Sequence, residues 1–496
     1  MTPRLRLRAG VLAGCLLAGM AACTLGPDYQ RPAIEVPGHF EEGLQWQSAH
    51  PDTAQALRDD WWRSYHDAVL DGLVDRALQA NLSIAQAEAA YRVAESGVRS
   101  AAAAYYPTIS AGLGAARTGF GSNAPVVVGN FPGNRAYSLY SASVGASWLP
   151  DLWGSVRRSV EAARAGAQAS DAQRAGIRLS ICASVVANYF ALRQADADVA
   201  LLTQQRDLIA RLHDMAVGAH AIGGASDDEV LVANNALDAV SAAVQAAQAL
   251  REQDEHALAV LLGQAPAALR LAPQPDYAFT VPSIPVGLPS QLLERRYDVV
   301  MAERTAAAAN ARIGVTKAAF FPTLTLSAQG GLDSQTLPHL LSYSNRVWTL
   351  GSSLAEKLFD AGARDAALDA ARAEYDAQAA LYRNTVIAAF QGVEDALSAL
   401  HHLDEEVASQ ARILGANQTL YEHALGQWHA GAASEQSALA AQLLLLQARQ
   451  SETDTRAAWS RSSVALILNL GGGWQWQPAG ATTPLAASAA LAGSRP

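Results

Sequence analysis

Histidines, cysteines and acidic clusters are the residues of this 496-residue chain that could do chemistry, and their spacing decides what kind. His401-His402 stand beside Asp404, Glu405 and Glu406, a donor set for a metal in principle. On a helix that run reads as a solvated face. His423 and His429 are six apart, a spacing that does not share a helix face. Gly471-Gly472-Gly473 has no following lysine, so it reads as a helix stop rather than a phosphate cradle. There is no His-Glu-x-x-His, no P-loop and no nucleophile elbow. The expectation is a protein without catalysis, cofactor or metal.

Two groups of reactive residues remain. Residues 1–22 carry Arg4, Arg6 and Arg8, an apolar stretch from Val11 to Met20, and the box Met20-Ala21-Ala22-Cys23. That is the layout of a lipoprotein signal, with Cys23 the acylated first residue; an ordinary secretory signal leaving a free Cys23 is the alternative. Cys15 follows too few apolar residues to serve. Cys182 is the other mature cysteine and reads as a buried, inert thiol. The second group is carboxylates beside two turns: Asp227, Asp228 and Glu229 after Ser226, and Glu435 after Ser434. They suit the positive end of a helix, or, with several copies around an axis, form an acidic constriction.

Removing the three arginines of the signal takes the formal charge from −10 to −13, which argues against nucleic acid as a partner. Alanine dominates the long runs and favours close-packed helices.

What positions these residues is a duplication. At an offset of 208 residues Gly223-Gly224-Ala225-Ser226 recurs as Gly431-Ala432-Ala433-Ser434, and Leu262-Gly263 as Leu470-Gly471. Val185, Leu192 and Val199 recur as Val393, Leu400 and Val407, within a seven-residue period running from Val386 through Leu414 to Tyr421. The repeat preserves Gly, Ser, Ala and Leu, so it duplicates a structure and not an active site. The expected divisions are 1–22, signal; 23–60, an extended lipid-anchored arm; 61–270, first repeat; 271–290, linker; 291–474, second repeat; and 475–496, a flexible tail.

Each repeat carries strand patterns. After Pro107, Ile109, Ala111, Leu113 and Ala115 alternate with small polar residues. Tyr140, Ala142, Val144, Ala146 and Trp148 alternate with Ser141, Ser143, Gly145 and Ser147. In the second copy Leu324, Leu326 and Ala328 alternate with Thr325, Ser327 and Gln329, and Trp348 and Leu350 flank Thr349. An apolar face with aromatic ends, opposite a face of hydroxyls and glycines, is the pattern of an outer-membrane strand between lipid and water. Tyr140, Val144, Trp148, Leu324, Leu326, Trp348 and Leu350 are therefore the expected lipid-facing residues. Four strands per chain cannot close a barrel alone, since single-chain barrels begin at about eight; three copies would supply twelve.

From Trp153 to Gly223 no proline occurs, a run of about 105 Å at 1.5 Å per residue. A globule of this length would have a radius of gyration of only about 23 Å. Each Gly-x-x-Ser turn sends the chain back along a second helix, where Leu237, Val240, Val244 and Ala247 keep core spacing. No run of about 20 residues is free of polar interruption, so no membrane-spanning helix is expected beyond the signal. The body these patterns predict is α+β, a lipid-anchored β-barrel closed by several copies and continuing into a long helical tube.

These residues resemble the TolC-like outer membrane factors, and within them the NodT-type efflux lipoproteins. Cys23 with Gly26-Pro27-Asp28-Tyr29-Gln30-Arg31-Pro32, Gly287-Leu288-Pro289-Ser290 with Arg295-Arg296, Ala309-Asn310-Ala311, Ile313-Gly314-Val315, Ala319-Phe320-Phe321-Pro322 and Leu470-Gly471-Gly472-Gly473-Trp474 carry the likeness. The resemblance implies a homotrimer with a twelve-stranded outer-membrane β-barrel continuing into a long periplasmic α-helical barrel, serving as the exit duct of a tripartite efflux pump. A periplasmic adaptor and an inner-membrane transporter, often of the resistance-nodulation-division type, would be its partners. The turns at Gly223–Ser226 and Gly431–Ser434 would be the periplasmic tips where the adaptor docks. Thr24 after the lipid cysteine implies outer-membrane sorting. Two departures stand out: Tyr297 follows the paired arginines where the family has proline, and Ala440 stands where members often place a constricting aspartate.

Two other functions fit the same sequence. A duct for type I protein secretion shares the architecture, and a lipid-anchored periplasmic scaffold would lack a pore. The sequence does not name the transported compound.

Overall fold

A computed structural model describes residues 24–42, 60–119, 136–284 and 295–473. Cys23 and the segment 475–496 lie outside them. In chain order, a short 3-10 turn at Trp61–Tyr65 precedes α1 (Ala68–Ala80) and α2 (Leu82–Ala103), then β1 (Thr108–Gly119) and β2 (Ala136–Trp148). The first long hairpin is α3 (Ser155–Ala221) and α4 (Asp227–Leu261). The second half repeats the order with α5 (Tyr297–Ala318), β3 (Thr323–Ser334), β4 (Arg346–Ala355), α6 (Ala363–His429) and α7 (Glu435–Asn469). The duplication reaches element length: α3 and α6 each have 67 residues, and α4 and α7 each have 35.

The chain divides into two compact units, each drawn from both halves. One comprises 1–33, 90–170 and 302–382; the other comprises 34–89, 171–301 and 383–496. The first unit holds the sheet, a four-stranded antiparallel meander in the order β1-β2-β3-β4. Its strands are 10 to 13 residues long, enough for the 9–11 residues a tilted membrane strand needs.

The same unit holds the N-terminal arm in extended form. Leu25 N–H donates to the Trp153 carbonyl, and Asn310 Nδ2 donates to the Pro27 carbonyl at 3.0 Å. Arg158, almost fully buried, donates to Leu25 O at 3.1 Å and meets Asp28 at 2.8 Å and Glu161 at 2.8 Å. Two glycine contacts make the approach possible. A Cβ on Gly26 would come within 2.5 Å of Gly314 Cα, and one on Gly154 within 2.8 Å of Thr24.

The second unit holds the main core. Trp61, Trp62 and Tyr65 pack with Phe190 and Phe279 beside Leu70, Leu73 and Val74 of α1. The heptad residues Val185, Leu192, Val386, Val393 and Leu400, drawn from both repeats, are fully buried within this unit, while Val199, Val407, Leu414 and Tyr421, nearer the turns, are half-buried. The linker between repeats, expected as a plain connection, is clasped over its described part. Asp196 accepts from Gln274 N–H at 3.0 Å and from Arg251 Nε at 2.6 Å, while Arg193 donates to the Ala272 carbonyl. Asp196 and Glu255 are buried in that clasp and charge-paired, as buried charges must be.

α3 and α4 each contain an 18-residue window apolar and long enough to cross a bilayer. Their alanines supply that apolarity, with half of the α3 window and 17% of the α4 window buried inside the fold.

Candidate functional site

The register of the sheet fixes which side chains share a face. Val144 pairs with Ala111 and Gly330, Trp148 with Leu326, Ala328 with Leu350, Gly330 with Trp348, and Leu324 with Leu354. Tyr140, Val144, Trp148, Leu324, Leu326, Trp348 and Leu350 therefore lie on one face, together with Ile109, Leu113 and Leu354. Seven of these ten apolar side chains count among the exposed large hydrophobics, including Leu113 at 87 % and Trp348 at 74 %. Tyr140, Leu324 and Leu326 are half-buried.

The opposite face carries Ser110, Gly112, Gly114, Ser141, Ser143, Gly145, Thr325, Ser327, Gln329, Thr349, Gly351 and Ser353. Gly331 is required there for contact, since a Cβ on it would meet the Ala142 carbonyl at 2.4 Å. The division breaks at several positions: Ser352 sits on the apolar face, as do Arg117, Ser138, Ser334 and Arg346 near the loop ends of the strands, where Tyr137, Leu139 and Val347 sit on the polar face.

Aromatic residues gather at both ends of the apolar band. At the helix end Trp148 Nε1 donates to the Tyr105 carbonyl at 3.0 Å, and Trp153 stacks on Phe321 with centroids 4.9 Å apart. At the loop end stand Tyr140 on that face and Tyr343 in the connection before β4. Girdles of this kind mark the two interfaces of a membrane-spanning barrel.

The two turns are alike in backbone and different in chemistry. Gly223 and Gly431 take φ of +76° and +73°, the left-handed reversal after a helix. Ser226 accepts from Glu229 N–H while the Glu229 carboxylate accepts from Ser226 N–H, a complete capping box. Ser434 caps α7 by accepting from Ser437 N–H. Thus Glu229 serves its own helix. Asp227 Oδ1 lies 3.3 Å from His220 Nε2, whose Nδ1 faces the Ala225 carbonyl at 3.0 Å. Glu435 pairs with Arg211 of α3 at 2.7 Å, tying the second turn to the first hairpin. Of the four acids only Asp228 has no hydrogen bond or ion pair among the described residues, and it is exposed. Ala440 is exposed one turn further on. Ile222 stands at the first turn 86 % exposed, where the second has only alanine and glycine.

Among the described residues no group of three or more His, Cys, Asp or Glu is arranged to hold a metal. His401 lies on a helix face 3.8 Å from Glu405. Cys182 is buried, and burial pushes its thiol up to about 12, which leaves it unreactive at neutral pH.

The family model described as outer membrane efflux protein matches residues 73–264 and again 288–472, one stretch in each repeat. The toluene efflux pump outer membrane protein TtgC of Pseudomonas putida is 31% identical over 462 residues, covering 92% of this chain and 94% of its own length. The pyoverdine export outer membrane protein OpmQ of Pseudomonas aeruginosa is 30% identical over 485 residues, covering 94% and 96%. Among solved structures, the open state of the Neisseria gonorrhoeae MtrE outer membrane channel is similar with a TM-score of 0.78 at 27% identity, over 91% of this chain and 99% of that one.

Proposed function

The chain belongs to the outer membrane efflux protein family, and from that membership we propose that three copies form the closed exit duct of a tripartite efflux pump. As an outer-membrane efflux channel it conducts passively. The observation that carries the trimeric reading is the open sheet. β1 and β4 are edge strands with no further neighbour among the described residues, and unpaired edges are not tolerated in lipid. Twelve strands from three chains close those edges, turn the apolar face to lipid and leave the hydroxyl and glycine face to water. The helical hairpins form the periplasmic wall of the duct, with the Gly223–Ser226 and Gly431–Ser434 turns as its tips.

A periplasmic adaptor docks at those tips, and an inner-membrane transporter of the resistance-nodulation-division type supplies the energy. The acidic constriction centres on Asp228, with Asp227 beside it, because Glu229 and Glu435 are occupied. Cys23 carries the lipid, which needs two or three acyl chains for firm attachment. Relatives of similar identity are named for toluene and for pyoverdine, so the duct's sequence does not set its cargo. Efflux is favoured over protein secretion because these relatives span nearly the whole chain.

Native mass spectrometry of detergent-extracted protein tests the assembly, with a trimer expected and a stable monomer fatal to it. Mass spectrometry of the mature N-terminus tests Cys23, where an unmodified cysteine or a different start removes the anchor.

A further inference from the structure

The two hairpins meet where α3 of the first packs on α7 of the second. Toward the tips this seam holds an apolar patch, with Leu208 buried against Leu439 and Leu446, beyond which Arg211 pairs with Glu435. Ten residues back along α3 from Leu208, about 15 Å at 1.5 Å per residue, its chemistry changes. There Gln450 Nε2 on α7 donates to Asp198 Oδ1 on α3 at 3.3 Å. Gln194 Nε2 on α3 donates to Asp454 Oδ1 on α7 at 2.6 Å. Each carboxyl thus takes an amide donor from the facing helix, and neither has an arginine or lysine partner in an ion pair among the described residues.

The charged groups around the pair are few. Asp198 feels Asp454 across the seam. Arg461 on α7 acts on Asp454 and on Asp254 of α4, but its own Nη1 donates to Gln194 Oε1 at 2.5 Å. Among the described residues the Arg461 guanidinium, bonded to a neutral amide, is the cation that acts on Asp454 and Asp254, while Glu406 of α6 accepts from Thr455 next to Asp454.

We propose that the Asp198–Asp454 pair is a proton-operated latch between the two hairpins, fastened when one carboxyl is protonated and pushed apart when both are ionised. Protonation turns an acceptor-only carboxylate into a group that also donates, and it removes one of two like charges. Burial, and then Asp454, raise Asp198 to about 6. The raised value means that the native seam binds this proton more tightly than the unfolded chain does. Its stabilisation is therefore full at pH below the ordinary aspartate value of 3.8 and is lost as pH rises through about 6. Asp454 and Asp254 are shifted upward as well, through burial.

This latch rests on the hairpins being the duct wall, so the test must separate the two ideas. The full-length trimer in planar bilayers is followed from about pH 7.5 to about pH 5. Wild type should lose about tenfold in open probability, the effect of one proton taken up near pH 6. Asp198→Asn should hold the low-pH behaviour throughout, and Asp454→Asn should flatten the profile in the same direction. A wild type indifferent to pH, or variants that keep its profile, overturns the latch. A wild type with no conductance at any pH overturns the duct reading instead. Should a variant fail to assemble, infrared spectra of the wild-type trimer decide the matter. A protonated-carboxyl band must grow as pH falls through about 6, and its absence overturns the proposal.

Discussion

Gly263 and Gly471 show how little of a residue's purpose is visible in its own letter. The duplication singled them out, but the reason lies in their neighbours. Both take positive φ, and a Cβ would lie 2.3 Å from the Ala80 carbonyl at Gly263 and 2.5 Å from the Arg295 carbonyl at Gly471. Gly263→Ala should therefore cost about 2–4 kcal/mol in thermal or denaturant unfolding, from backbone strain and forced displacement together. Gly218→Ala, in the last turn of α3 with nothing within 4 Å, should be neutral or slightly stabilising. At the tips the acids were legible as a cluster and illegible as individuals. Only the coordinates give Glu229 to the capping box, Asp227 to His220 and Glu435 to Arg211. Replacing Asp227 and Asp228 by Asn should lower cation selectivity in single-channel recordings and raise leakage of bulky antibiotics. Unchanged selectivity and susceptibility would make both acids helix-terminus residues and move the constriction elsewhere.

At the scale of elements, the strands were legible because their period of two depends on local side-chain chemistry. The pattern gave β2 nearly whole. It stopped short on β4, where Ser352 interrupts the apolar face before Leu354. Register could not be read from the sequence, because it depends on which residues of different strands meet. The pairing now puts Val144 and Ser143 on opposite faces. Val144→Arg should therefore destabilise insertion by about 2–4 kcal/mol if it lies near the midplane. Ser143→Arg should insert normally and change conductance. Heat-modified gel mobility and reconstituted conductance measure the two effects, and equal losses from both would mean that the faces are misassigned. The long helices were legible from the absence of proline and from the heptads, and their turns from Gly and Ser. The seam between α3 and α7 was not, since Gln194 and Asp454 are 260 residues apart.

For the whole molecule, the sequence yielded the duplication and the need for several copies, while the clamp on the N-terminal arm is new. Arg158 reaches back 133 residues to the Leu25 carbonyl and also holds Asp28, a contact no local pattern announces. Arg158→Ala should release residues 24–33 to limited proteolysis while the far-UV circular dichroism stays unchanged. Resistance equal to wild type would show that the glycine contacts suffice to hold the arm.

The unpaired edges of the sheet have a genetic consequence. β1 and β4 are different strands, so a closed ring must join the β4 of one copy to the β1 of the next, a head-to-tail contact repeated around an axis. Every subunit then takes part in two junctions. A chain whose β1 edge is spoiled, for instance by proline at Gly112 and Gly114, would break any ring that admits it. Co-expressed in equal amount with the normal chain, it should leave only about one-eighth of rings intact if the three positions fill at random. Drug resistance would then collapse far below half, a dominant-negative phenotype that a protein acting as single chains could not produce.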